Sequence, residues 1–133
     1  ASFSFTVDRR LNPEEDFDGE KKRLLDAFER ARAQGVDLDL ECIQEARPAA
    51  TSSDHPATRV VADCVEEVKG KRPPVELCPG ILEIRFYAER GVPAFAYGPG
   101  LLSVAHGPNE FVKRRELEDC ALVYALAALR LLG

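Results

Sequence analysis

The chain has 133 residues, 45% of them hydrophobic and 31% charged, with a net charge of −5. That is the length of one domain, or of two small ones sharing a core, and the composition of a folded protein rather than a disordered one. The acidic balance removes any general attraction to nucleic acid or to an anionic membrane, and the basic runs 69–72 and 113–115 are too short to reverse it.

In chain order, Phe3, Phe5 and Val7 alternate with Ser4, Thr6 and Asp8, a period of two that predicts a half-buried strand running to about Leu11. Asn12-Pro13-Glu14-Glu15 reads as a helix start, with Asn12 as cap, Pro13 in the first turn and Glu15 at the capping-box position. Phe17, Leu24, Leu25, Phe28 and Ala31 fall on one helical face. Asp18/Lys22 and Asp26/Arg30 are spaced for ion pairs along the helix, which Gly35 ends. Val36, Leu38 and Leu40 alternate with acidic residues and predict a second strand, parallel to the first through a right-handed crossover. A two-stranded sheet under one helix is a poor domain by itself.

Residues 47–56 carry the composition of a linker. Pro56 opens a helix striped by Ala57, Val60, Val61, Cys64, Val65 and Val68 and closed by Gly70, with His55 in a structural role at its start. A short strand at Val75–Leu77, a short helix within Ile81–Arg90 and a buried strand at Val92–Tyr97 follow. After the Gly98-Pro99-Gly100 loop, a last helix runs from about Arg115 to Leu132 and is apolar on every side from Cys120 to Leu129. Such a helix calls for burial all round. Its ten-residue apolar run is short of the ~20 residues that span a membrane. Alternating helices and strands give an α/β fold class.

The four cysteines, Cys42, Cys64, Cys78 and Cys120, form no C-x-x-C pair. Cys42, Cys64 and Cys120 sit in apolar patterns and read as buried free thiols, which places the protein in a reducing compartment, the cytoplasm. No signal-peptide pattern opens the sequence. No Met is present, so either the initiator was removed or the chain is a piece of a longer one.

One stretch concentrates the chemistry: Tyr97-Gly98-Pro99-Gly100, then Ala105-His106-Gly107-Pro108-Asn109-Glu110. It sets one of only two histidines in a Gly/Pro-rich loop, where a side chain is available for function. Together with Val7-Asp8-Arg9-Arg10-Leu11-Asn12-Pro13-Glu14 and Gly91-Val92-Pro93, it closely resembles the di-zinc aminoacyl hydrolases: acetylornithine deacetylase, succinyl-diaminopimelate desuccinylase, aminoacylases and related carboxypeptidases. The resemblance covers nearly all of this chain but only the C-terminal part of the family's usual length. It implies that residues 1–47 are the strand–helix–strand half of a ferredoxin-like lid and dimerisation domain. It likewise implies that residues 48–133 are the C-terminal part of a zinc-peptidase-like α/β catalytic domain.

Carried over residue by residue, the resemblance makes His106 a metal ligand and Arg10 a clamp for the substrate carboxylate, a task that suits a planar guanidinium fork. The family's Gly-Gly-Thr-Asp-Ala-Arg loop is here Gly80-Ile81-Leu82-Glu83-Ile84-Arg85. Gly80, Glu83 and Arg85 are then substrate-binding residues, and Ile81-Leu82 imply a more apolar pocket. The residues themselves leave plainer roles open. Arg10 could pair with Asp8 or Glu14, Glu83 with Arg85, and Glu110 could serve the last helix rather than orient the His106 loop behind the metal. The complete enzyme would hold two zinc ions, with cobalt as an alternative, and act on small N-acyl amino acids or peptides. The family's other ligands and general base lie upstream of the matched part, so the chain contains no catalytic residue of its own, is expected to bind zinc weakly or not at all, and is expected to be inactive alone. Its partners would be the missing N-terminal part of the same polypeptide and a second copy in a homo-oligomer, with no nucleic acid and no membrane. The alternative is a non-catalytic α/β module for assembly or dimerisation.

Overall fold

A computed structural model describes residues 2–133. The chain divides into two compact units, one ending at Ala49 and one spanning Ala50–Gly133.

The first unit is built on α1, Phe17–Ala33. The helix starts later than Asn12 because Asn12–Glu15 closes a turn of its own. The Glu15 amide donates to the Asn12 carbonyl at 3.1 Å, and the Asn12 amide donates to the Glu15 carboxylate at 2.7 Å. That amide, and then the Arg9 guanidinium, hold the Glu15 carboxyl below its ordinary range. Asp16 becomes the N-cap, and Gly35 follows the helix in the left-handed conformation. Of the two anticipated helix pairs neither forms: Lys22 pairs with Asp26 at 2.6 Å, and Asp18 instead takes Arg47 at 2.8 Å. Arg32 donates to the Leu38 carbonyl, and Lys21 meets Glu45, so the segment after Gly35 runs back along α1 on polar ties. No described residue of this unit is buried. Exposed ties of this kind contribute little individually.

The α/β expectation is overturned. Among the described residues there are four α-helices and one 3-10 turn, and no strand. The strand–helix–strand lid half and the mixed α/β catalytic part are therefore absent as such. The segments expected as strands at 3–11, 36–41, 75–77 and 92–97 carry no ladder. The physical reason is that a period of two describes an extended chain with one apolar face, whereas a strand also requires a neighbour to receive its amides. Phe3 and Phe5 remain 88% and 68% exposed, so their alternation buries nothing.

The second unit has a core. Pro56–Lys69 forms α2, capped by the His55 ring, whose Nδ1 accepts the Ala57 amide at 3.2 Å, and ended by Gly70 at φ 72°. Ile84–Ala88 forms the short α3 and Arg114–Leu132 forms α4. Cys64 and Val65 of α2 pack against Val123 and Ala127 of α4, with Val60, Val61, Val68, Tyr97 and Leu126 around them. Buried Thr58 donates its hydroxyl to the Ser52 carbonyl at 3.1 Å. Cys64 and Cys120 are buried free thiols as expected, whereas Cys42 is exposed because its segment packs under nothing.

The apolar girth of α4 is not enclosed. One stripe, Cys120, Val123 and Ala127, is buried, while Leu122, Tyr124, Leu129 and Leu132 are exposed.

Removing two methyl groups from fully buried Val123 by Val123→Ala should lower the unfolding free energy of the chain by about 2 kcal/mol in urea titrations. Leu129→Ala, at a side chain 70% exposed, should stay within about 0.5 kcal/mol.

Candidate functional site

The His106 loop is fastened to α4 and to its own turns. The Tyr124 hydroxyl donates to the Tyr97 carbonyl at 2.5 Å, and the two rings lie 6.2 Å apart. Burial raises the Tyr97 phenol above its ordinary pKa. Earlier in the same segment, Ala94 is bracketed by the Thr51 hydroxyl, which donates to its carbonyl at 2.6 Å and accepts its amide at 2.9 Å. The chain then passes Gly100 at φ 93° and a 3-10 turn over Leu102–Val104.

His106 follows, at φ 61°. It is the one non-glycine residue at positive φ among the described residues, a conformation that costs about 1–3 kcal/mol and tends to persist where function needs it. Two turns stack around it: the Gly107 amide donates to the Val104 carbonyl at 3.1 Å, and the Glu110 amide donates to the Gly107 carbonyl at 3.2 Å. A Cβ at position 107 would stand 3.1 Å from the Val104 carbonyl oxygen, so this crossing favours glycine. The Glu110 carboxylate accepts the His106 amide at 3.0 Å. Of the two roles open to Glu110, this geometry takes up the His106 loop and not the start of α4, whose N-cap is Lys113.

The His106 residue is exposed, and its ring makes no hydrogen bond among the described residues, which leaves both ring nitrogens open to a ligand. As a donor it fits a divalent transition metal. The donor count does not: among the described residues no group of three or more His, Cys, Asp and Glu is placed to hold a metal ion. Beside the loop lies an open cavity of about 350 Å³, walled by Pro99, Leu101, Leu102, Phe111 and Val112, with Glu110 at its edge. A mainly apolar wall with one carboxylate suits an apolar group better than a charged one.

The other anticipated residues lie apart from this loop in their bonding. Arg85 is largely covered, bonds the Leu82 carbonyl at 3.3 Å, stacks its guanidinium 4.3 Å from the Phe86 ring centre and stands 3.9 Å from Glu83. Glu83 is the N-cap of α3, and Gly80 sits in the bend before it. No hydrogen bond or ion pair among the described residues joins Gly80, Glu83 or Arg85 to His106 or Glu110. Arg10 belongs to the first unit, where its Nε and Nη2 both reach the same Asp8 oxygen at 3.0 Å. Sequence reasoning did not anticipate Tyr124 or Thr51. Their polar ends in apolar and linker surroundings were the available signal.

Residues 7–130 match the profile of peptidase family M20/M25/M40. The chain belongs to that family. The matched stretch contains Arg10, Gly80, Glu83, Arg85, His106 and Glu110. A succinyl-diaminopimelate desuccinylase from a Nitratiruptor species is 26% identical over 100 residues, which are 75% of this chain and 27% of that protein. The uncharacterized protein YgeY of Escherichia coli (strain K12) is 27% identical over 143 aligned positions, covering 96% of this chain and 35% of that protein. The chain thus spans about a third or less of the length of these relatives. No solved structure matches it. Among the described residues no helix is long and apolar enough to cross a membrane.

Tyr124→Phe removes one hydrogen bond and should cost about 1 kcal/mol of stability. Amide exchange should quicken across 97–101 and stay unchanged within α2.

Proposed function

We propose that this M20-family chain is the C-terminal part of a zinc-dependent amidohydrolase that cleaves N-acyl amino acids or small peptides, of deacetylase or desuccinylase type, and is inactive alone. The observation that carries this reading is His106, an exposed imidazole without a hydrogen-bond partner, held at positive φ inside a segment that matches the family. The similarity to a succinyl-diaminopimelate desuccinylase supports the reaction class, and the fraction of each relative that is covered supports the status as a part. The exposed apolar face of α4, with Leu122, Tyr124, Leu129 and Leu132, supports partners in the rest of the polypeptide and in a second copy. Free thiols at Cys42, Cys64, Cys78 and Cys120 fit the cytoplasm.

In the complete enzyme His106 would supply one of the donors to a two-zinc site, for which cobalt would be the alternative metal. The chemistry such a metal would supply is activation of water for attack near neutral pH. This chain's own contributions are positional. Arg10 takes the substrate carboxylate in place of Asp8, which it now holds in a pair 69% and 64% exposed. A planar guanidinium fork matches a carboxylate in two parallel hydrogen bonds. Gly80, Glu83 and Arg85 lie on the substrate side, where Ile81 and Leu82 favour an apolar group.

His106→Ala in the intact protein should cut zinc affinity and turnover by more than about 100-fold, beyond what loss of an outer-shell partner does. Its thermal unfolding should change little, since the residue is exposed. Wild-type zinc content together with wild-type turnover in that variant would refute the ligand role.

A further inference from the structure

We propose that the cavity beside the His106 loop takes an apolar group with a primary ammonium next to it, as the first residue of a peptide with a free N-terminus offers. The inference rests on the reading of the chain as part of an amidohydrolase, and it chooses between the two substrate classes of that reading, a peptide over an N-acyl amino acid. It needs no metal, because every group it uses belongs to this chain. The cavity holds about 350 Å³ and is open to solvent. That volume is near the lower end of ligand pockets, about 300–1,000 Å³, and suits one side chain rather than a large ligand.

Two arms of the second unit build the cavity, residues 98–102 and residues 110–112. They meet at Gly100, where a Cβ would stand 3.7 Å from Val112 Cγ2. Leu101, Leu102, Phe111 and Val112 line it, and all four remain exposed. Adjoining apolar side chains left in water mark a binding surface. A guest that covers them gains the hydrophobic contribution the fold itself does not take.

The polar end of the cavity has one sign. Glu110 is the charged side chain among the lining residues, and neither Lys nor Arg is one of them. The next cations along the chain are Lys113 and Arg114, and Arg114 pairs with Glu118 at 2.9 Å. Among the described residues the Glu110 carboxylate makes one hydrogen bond, from the His106 amide to Oε2 at 3.0 Å. Oε1 is thus left at the edge of the cavity for a donor from outside. An ammonium brings three donors and the compensating charge. An N-acyl amide brings one donor and no charge, and a carboxylate is repelled. The acid end of a succinyl group therefore has no place here. An apolar body with a charged tip suits such a boundary, its carbon inside and its ammonium at the wet rim.

The test is an NMR chemical-shift titration of the 133-residue chain with phenylalaninamide, N-acetylphenylalaninamide and 3-phenylpropionate. The three share a ring and differ in the charge beside it. At about pH 6 the α-amino group of the first is protonated. Phenylalaninamide should bind saturably, with a dissociation constant on the order of 1 mM for a fragment of this size. It should shift the amides of 98, 100–102 and 110–112. The N-acetyl compound should bind about three- to fivefold more weakly, the factor an exposed ion pair supplies, and 3-phenylpropionate more weakly still. Glu110→Gln keeps an oxygen for the His106 amide and removes the charge, so it should abolish the preference for the amine. Phe111→Ala should weaken the amine and the N-acetyl compound alike. Equal affinity for those two in the wild type, tightest binding of 3-phenylpropionate, shifts that do not saturate or shifts confined to the exposed face of α4 would each overturn the proposal. So would a preference for the amine that survives Glu110→Gln. The wild-type series decides by itself if a variant does not fold. Zinc and turnover play no part in the readout. Failure to bind therefore leaves the hydrolase reading standing, and an intact protein without hydrolase activity leaves the preference of the cavity standing.

Discussion

The packing of α2 on α4 is the interaction on which the rest of the second unit depends. Cys64 and Val65 meet Val123 and Ala127 in a seam narrow enough that small and β-branched side chains fill it. Tyr97 joins the edge of that seam, and Tyr124, one position after Val123, reaches out of it to the Tyr97 carbonyl. The loop that carries His106 is thereby attached to the one well-packed part of the chain. Among its described residues the first unit has no such anchor: Arg9 (through Glu20), Lys21, Arg32 and Arg47 tie the flanking chain to α1 by exposed side chains. Ties of that kind add little individually and weaken with salt.

The candidate site has a tension within it. A positive φ at His106 is unfavourable for a residue with a side chain, yet it is maintained by a carboxylate and two short turns on a small hydrophobic foundation. Such an arrangement fixes where an imidazole stands at the expense of local stability. It suits a ligand, whose geometry must be set before the metal arrives, better than a solvating surface residue. The same loop contributes the apolar wall of the neighbouring cavity.

How much of this was legible depended on whether the signal was local. The helices at 56–69 and 114–132 could be read because their stripes and punctuation lie within the segment: Pro56 at the first turn, Gly70 at the stop, valines at helical spacing. The His55 cap was legible for the same reason. Strands are different, since alternation at Phe3, Phe5 and Val7 is only half of a strand and the neighbour cannot be read from it. The start of α1 slipped because Asn12–Glu15 is as good a closed turn as it is a capping box, and local hydrogen bonding of this sort competes with helix. At the site, the identity of His106 and its spacing to Glu110 were visible. The direction of the Glu110 carboxylate was not, because spacing alone does not distinguish a bond to the ring from a bond to the amide.

On the proposed reading, this chain contributes one fixed donor to a metal site it cannot complete. Zinc calorimetry on the 133-residue chain at neutral pH, with His106→Ala as reference, tests that most directly. The expected result is weak binding, with a dissociation constant above about 0.1 mM, or no measurable heat, since structural and catalytic zinc sites require three or four protein ligands. Stoichiometric binding at micromolar zinc that vanishes in His106→Ala would contradict the account, by showing that the chain assembles a complete site around His106 by itself.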